Sequence, residues 1–122
     1  MRIFTRKRWI ILPVIRVDDQ ERALFPAWSE INHYGINHLA VGQEVPLHYH
    51  ECNEYWIIVK GKGICTTEGD TYEIGPGDLV LTEQGQEHSL IVTEEMTAVY
   101  IYGILPPGGK IGYLYRSQEG KK

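Results

Sequence analysis

At 122 residues the chain is about one domain long, which argues against a multi-domain enzyme with a separate cofactor module. Its 43% apolar residues can supply the core that this size needs without staples, and Cys52 and Cys65 make no disulfide framework, so a reducing compartment is expected. Twelve basic against sixteen acidic side chains give a net charge of -4, which argues against broad binding to polyanions and against nucleic acid as a partner.

The first segment places Arg2, Arg6, Lys7 and Arg8 before an apolar run over 9–15, superficially like a signal peptide. The run is short, is broken by Pro13 and closed by Arg16, and lacks a small-residue cleavage pattern. No segment approaches the ~20 apolar residues of a membrane span, so the expectation is a cytoplasmic protein with no membrane partner and a first strand at 9–15. Helix is expected only over 18–24, with Asp18 or Asp19 as cap and Pro26 as stop. Thirteen glycines, eight tyrosines and many Val, Ile and Thr read as β-structure. Further strands are expected at 36–41, 54–59, 63–67, 71–74, 79–82, 89–92 and 97–102, eight with the first. Turn signals separate them at Gly42, Gly61, Glu68-Gly69-Asp70, Gly75-Pro76-Gly77-Asp78 and Gln84-Gly85, a spacing that suits an antiparallel sandwich or barrel. The tail, 105–122, reads as a loop with a short apolar patch at 111–115 and then a frayed polar end.

Chemistry concentrates in His48-Tyr49-His50 and Glu54. The two-residue period of an extended segment puts both imidazoles on one face, and a turn at Glu51-Cys52-Asn53 would bring the Glu54 carboxylate back to the same point. Two nitrogens and an oxygen suit Fe, Mn, Ni, Co or Zn, and His88, at the start of an apolar strand, can add a third imidazole. Taken alone, a His-x-His pair also arises as plain surface histidines, and these residues leave both readings open.

The spacing Gly42-x5-His48-x-His50-x3-Glu54-x6-Gly61 resembles the first signature of the cupin superfamily at every fixed position and gap. Gly77, Gly85 and His88 are in register with the second signature, Gly-x5-Pro-x-Gly-x2-His-x3-Asn, with Glu83 in place of the proline and Val92 in place of the asparagine. Neither departure falls on a metal ligand of the family. The resemblance, to a small single-domain cupin over 1–122 with its barrel core at about 36–103, implies an all-β double-stranded β-helix, or jelly-roll barrel. It also implies one divalent transition metal per chain held by His48, His50, Glu54 and His88.

By the parity of the ligands, Trp56, Ile58, Leu90 and Val92 face inward as ordinary core, and Trp56 is close enough to a ligand to wall the pocket. Gly61 and Gly77 are expected in turns that need positive φ. Candidate pocket residues are Trp56, His38, Tyr100 and Tyr102. A core or rim histidine is the plainer reading of His38, and Tyr100 and Tyr102 could equally line an interface. His33 is expected in a loop, Cys52 as a free thiol that binds no metal, and Cys65 as a small core residue.

An octahedral ion with four protein ligands keeps two positions open for a chelating substrate. That supports Lewis-acid isomerase, epimerase or lyase chemistry on a small polar oxygenated substrate. The run Glu54-Tyr55-Trp56-Ile57-Ile58-Val59-Lys60-Gly61 resembles the Glu-x-Trp-x-Val-x-x-Gly stretch of cupin phosphomannose isomerases, which suggests a sugar derivative, without a phosphate site. The alternatives are an Fe(II)-dependent dioxygenase and a metal-dependent sensor without turnover, since the family contains enzymes of both kinds and binding proteins. A homodimer is expected from the apolar first strand and from the edges that jelly-roll sheets leave open.

Overall fold

A computed structural model describes residues 14–20, 25–110 and 112–116, and nearly all of their regular structure is strand. Among the described residues a 3-10 turn, Ala27–Ser29, precedes β1 (Ile31–Leu39), β2 (Glu44–His48), β3 (Glu54–Thr67), β4 (Asp70–Ile74), β5 (Leu79–Thr82) and β6 (His88–Gly103). Every pairing is antiparallel. Among the described residues no helix is long and apolar enough to cross a membrane.

Two long strands organise the rest. β3 and β6 pair with each other from Glu54↔Tyr102 at one end to Thr67↔His88 at the other, with register shifts between Ile58 and Gly63. A straight strand of that length would hold Glu54 and Thr67 about 43 Å apart. Instead Glu54 Oε1 lies 3.1 Å from Nε2 of His88, a residue paired at the far end of the ribbon. The ribbon is therefore folded back on itself at the irregular stretch around Gly61. One half of it carries β1 on β6 and β5 on β3, and the other half carries β2 on β6 and β4 on β3. Inward residues of both halves, among them Trp56, Ile58, Val80, Ala98, Cys65, Ile74, Leu90 and Val92, form one hydrophobic cluster. This is the expected jelly-roll barrel, with the expected interior parity.

The strand count differs from the expectation in informative ways. Six strands stand among the described residues: the breaks expected at Gly61 and after Val92 fall within continuous strands, β2 is additional, and the strand expected at 9–15 is not among them. β1 begins at Ile31, ahead of the expected core boundary at 36, which puts His33 in a strand rather than a loop. β2 is a strand beyond those expected and contains Pro46; among the described residues it pairs with β6 alone, and its register slips between Val45 and His48, where a missing N–H is tolerated. Of the expected strand at 9–15, residues 9–13 lie outside the described residues, and Val14 and Ile15 belong to no strand. Of the expected helix at 18–24, residues 21–24 lie outside them too, and what precedes is a turn closed by Asp19 N–H donating to Arg16 O at 3.1 Å.

The outer face of the first half is apolar in two rows. Ile36, Val99, Ile57 and Leu79 lie in register across β1, β6, β3 and β5, and Tyr34, Ile101, Tyr55 and Leu81 lie beside them. Leu79 and Leu81, about 60% exposed, leave the β5 side of this face open among the described residues, whereas Tyr34 on β1 meets Ile15 and Gln20.

Gly61 is the residue that permits the fold-back. Its φ is +86, and a Cβ there would sit 2.1 Å from the Glu95 carbonyl oxygen. Gly42 shares the positive φ, +85, with nothing within 4 Å of a Cβ. Gly42→Ala should therefore lose only about 1–2 kcal/mol, the left-handed penalty alone. Gly61→Ala, with a backbone collision added, should lose clearly more, and thermal denaturation of the two variants compares them directly. Equal losses would mean that the approach of Glu95 to Gly61 is not a constraint.

Candidate metal centre

The end of β2, the start of β3 and the start of β6 meet at one place because the ribbon is bent. His48 closes β2 and pairs with His88, the first residue of β6; His50 follows two residues on, and Glu54 opens β3. All four side chains are buried. The ligand-capable nitrogens of His48, His50 and His88 lie within 4.8 Å of one another. His48 Nε2 is 3.1 Å from His50 Nε2, and Glu54 Oε1 lies 3.3 Å from His50 Nε2 and 3.1 Å from His88 Nε2.

The other side of each ring decides what these nitrogens can do. Nδ1 of His48 donates to the Pro46 carbonyl at 2.6 Å, that of His50 to the Gly112 carbonyl at 2.8 Å, and that of His88 to the Gln86 carbonyl at 3.0 Å. Since a carbonyl only accepts, each Nδ1 carries the proton and a neutral ring turns its Nε2 lone pair inward. Three inward lone pairs then cluster, His48 against His50, with the Glu54 carboxylate oxygen against His50 and His88, and no proton is left to share. To satisfy Glu54 without a cation, His50 and His88 would each need a proton on both nitrogens. A cation among the four donors satisfies all of them at once, so the donor set fits a transition metal that accepts imidazole and carboxylate.

Burial and partners also set the charge states. Burial holds the His48 ring down at about 4 against its ordinary 6.5, outweighing the Pro46 hydrogen bond that supports the charged form. Burial pushes the Glu54 carboxyl upward; without a cation, protons on Nε2 of His50 and His88 would donate to it, and those bonds outweigh burial and hold it at about 2. Burial raises the phenols of Tyr100, Tyr102 and Tyr113, which therefore stay protonated. It also raises the free thiols of Cys52 and Cys65 to about 11.

The site opens on a cavity of about 160 Å³. His48, Glu54, Tyr102 and Tyr113 line one end, Trp56 and Tyr100 the walls, and Leu39, Val45, Leu90, Met96, Ala98 and Asn37 the remainder. Trp56, Tyr100 and Tyr102 thus stand where pocket residues were expected. His38 does not: it is exposed, its neighbours Asn37 and Leu39 take the inward positions, and its Nδ1 lies 3.3 Å from Thr97 Oγ1 on the outside. The strand parity that faces Asn37 inward turns His38 out. His33, on β1, instead reaches the cavity wall, with Nε2 3.3 Å from the Tyr100 hydroxyl. A Cβ on Gly35 would collide with that hydroxyl at 2.4 Å, so a bare glycine makes room for the ring. Cys52 packs with Tyr102 and Leu105 and is not one of the grouped ligands.

The part least legible in the sequence is the tail. Leu114 bridges Tyr49 with both backbone bonds, at 2.9 and 3.0 Å, and this lays Gly112–Arg116 across the ligands. Gly112 supplies the carbonyl that orients His50, and Tyr113 stacks on His48 with centroids 3.9 Å apart at 16°. The Arg116 guanidinium sits 4.5 Å over the Tyr49 ring and donates to the Gly85 carbonyl. The apolar patch at 111–115 was the only signal for this strap. The turn before His88 lacks the family's proline, and side chains pin it instead: Glu83 N–H donates to Gln86 Oε1 and Gln84 N–H to Asn53 Oδ1, both at 2.8 Å.

Residues 35–104 match a family model described as the cupin domain. The Sinorhizobium fredii protein y4oW is 31% identical over 74 residues, 60% of this chain, and the chain spans about a third, 34%, of that relative's length. Among solved structures, DMSP lyase DddQ from Ruegeria pomeroyi DSS-3 superposes with a TM-score of 0.61 at 21% identity, over 72% of this chain and 44% of that one. A predicted oxalate decarboxylase from Thermotoga maritima gives 0.58 at 24%, over 65% and 71%. An RmlC-like cupin from Shewanella frigidimarina gives 0.56 at 14%, over 58% and 64%. At these identities the structural likeness speaks for the fold.

The metal-free protein should lose stability with acid in two steps. His48, held low in the fold, favours folding fully above pH about 6.5 and loses that contribution as pH falls toward about 4. Glu54 contributes above about 4.5 and loses its share as pH falls through about 2. Melting temperatures of chelator-treated protein across this range should decline throughout, and His48→Gln should flatten only the upper step. An unchanged upper step in that variant would contradict the assignment.

Proposed function

The chain belongs to the cupin domain family, and from that premise we propose that it holds one divalent transition metal on His48, His50, Glu54 and His88 and acts on a small oxygenated substrate by Lewis-acid chemistry. The observation that carries this reading is the orientation of the three rings: every Nδ1 is spent on a backbone carbonyl, leaving three clustered Nε2 atoms, two of them beside the Glu54 carboxylate. A bound divalent ion would polarise a substrate carbonyl and acidify its neighbouring C–H, the requirement of isomerase, epimerase and lyase reactions.

The chain's own residues supply the rest. The backbone carbonyls of Pro46, Gln86 and Gly112 fix the ring orientations, so the donors are in place before a metal arrives. With a single carboxylate against a divalent charge the centre keeps about +1, which favours an anionic or enolisable ligand. Trp56, Tyr100, Tyr102 and Tyr113 wall the cavity and limit water, and the protonated phenols are available to donate to substrate oxygens. The proteins of similar fold include a DMSP lyase, a predicted oxalate decarboxylase and a salicylate 1,2-dioxygenase, so the fold is compatible with both the Lewis-acid and the dioxygenase alternatives.

Metal analysis of untagged protein tests the assignment. The wild type should carry about one metal per chain, His50→Ala should lose most of it, and the exposed His38→Ala should retain it. Equal content in the two variants would sink the ligand set. Iron as the bound metal, with oxygen consumption on candidate diols and keto acids, would favour the dioxygenase. Ligand binding without turnover would favour the sensor.

The same reading includes a homodimer, supported by the two apolar rows on the outer face of β1, β6, β3 and β5. Light scattering at micromolar concentration should give twice the chain mass, and Leu79→Glu with Leu81→Glu should halve it. A monomeric wild type would overturn this part.

A further inference from the structure

Resting on that reading of the metal site, we propose that its substrate is a short-chain 2-oxo or 2-hydroxy carboxylate with an aliphatic tail, rather than a polyhydroxylated sugar derivative. The cavity is graded along the bent ribbon. Glu54 and Tyr102 face each other across β3 and β6 at the ligand end, Trp56 and Tyr100 form the next pair, and Ile58 and Ala98 the one after. On β1, Gly35, Asn37 and Leu39 stand opposite Tyr100, Ala98 and Met96 in the same order. Val45 and Leu90 pair across β2 and β6 and close the other side. Moving away from the ligands, the wall thus changes from imidazole, carboxylate and phenol to indole and then to aliphatic carbon.

Three features of this lining restrict the occupant. Among the described residues no lysine or arginine lines the cavity, so none of them meets a second anionic group such as a phosphate there. In the far part the polar side chain is the Asn37 amide, and Leu39, Val45, Leu90, Met96 and Ala98 offer nothing to hydroxyl groups, which would each forfeit hydrogen bonds to water on entry. The volume, about 160 Å³, matches that of cavities that take a benzene-sized guest, roughly five to eight non-hydrogen atoms. A chelating 2-oxo acid head with two or three further carbons meets all three limits, whereas a hexose derivative exceeds the volume and wastes its hydroxyls.

Cobalt-substituted full-length protein, titrated while its visible spectrum is followed, tests this. The probes are pyruvate, 2-oxobutanoate, 2-oxopentanoate and 2-oxohexanoate, with 2-hydroxybutanoate against its hydroxylated counterpart threonate. Affinity should rise about fourfold per added methylene, to an optimum at about five carbons, and then fall. Threonate should bind at least about tenfold more weakly than 2-hydroxybutanoate. Ala98→Val, which fills the aliphatic end, should weaken 2-oxopentanoate about tenfold relative to pyruvate. Leu39→Ala, which enlarges it, should move the optimum to a longer chain. With cobalt bound, a series that is flat in chain length, or threonate binding as tightly as 2-hydroxybutanoate, overturns the proposal and leaves the metal assignment standing. Protein that takes up no cobalt overturns the metal assignment and this proposal with it, a result that metal content alone reveals.

Discussion

The pairing of β3 with β6, and its single sharp bend, is the constraint from which the rest of the molecule follows. Strands of 14 and 16 residues, laid straight, would make a long two-stranded ribbon with an apolar face open to water. Bending at Gly61 lets the two halves of that face close on one another, so hydrophobic burial drives the closure that the glycine permits. Closure also brings the ribbon's ends together. Glu54 and His88 stand at opposite ends by register and yet touch, and β2 enters beside His88 to add its own histidines. The barrel and the site are products of one folding event.

The site carries an electrostatic tension that the fold does not relieve. Polar groups buried this deeply normally pair donor with acceptor. Here the donors of all three imidazoles are committed outward to backbone carbonyls, and what remains inside is acceptor against acceptor. The carbonyl partners come from three separate segments, the β2 strand, the turn before β6 and the tail, so the orientation is overdetermined rather than a feature of one loop. Packing of Tyr113 on His48 and of Tyr102 and Trp56 around the other rings keeps the cluster dry, and charge interactions are correspondingly stronger there.

Around this centre the lining changes with distance: among the described residues the wall offers phenols near the ligands and the Asn37 amide among hydrocarbon beyond them. The His33–Tyr100 contact adds a polar link from the rim of β1 to the cavity wall, with Gly35 shaped to receive the ring.

The fold class and the four-residue cluster were legible in the sequence because both rest on local regularities. Strand parity sets His48 beside His50 and faces Trp56, Ile58, Leu90 and Val92 inward, and the spacing of glycines and histidines carries the family pattern over about half the chain. The same parity, applied without knowing where β1 begins, leaves His38 ambiguous; only its pairing with Thr97 on β6 turns it outward and brings His33 and Asn37 to the cavity instead. The strand at Glu44–His48 carries Pro46, and its pairing with β6 alone among the described residues is what excuses the missing donor. The strap at Gly112–Arg116 showed in the sequence as an apolar patch at 111–115, with nothing local to say where it docks. Its place depends on backbone bonds between Leu114 and Tyr49, residues far apart in the chain, and on the Gly112 carbonyl meeting His50. Sequence by itself determined which side chains share a face, because that is a property of neighbouring dihedral angles; which faces meet, and what closes over them, was decided by long-range pairing that exists only once the ribbon has bent.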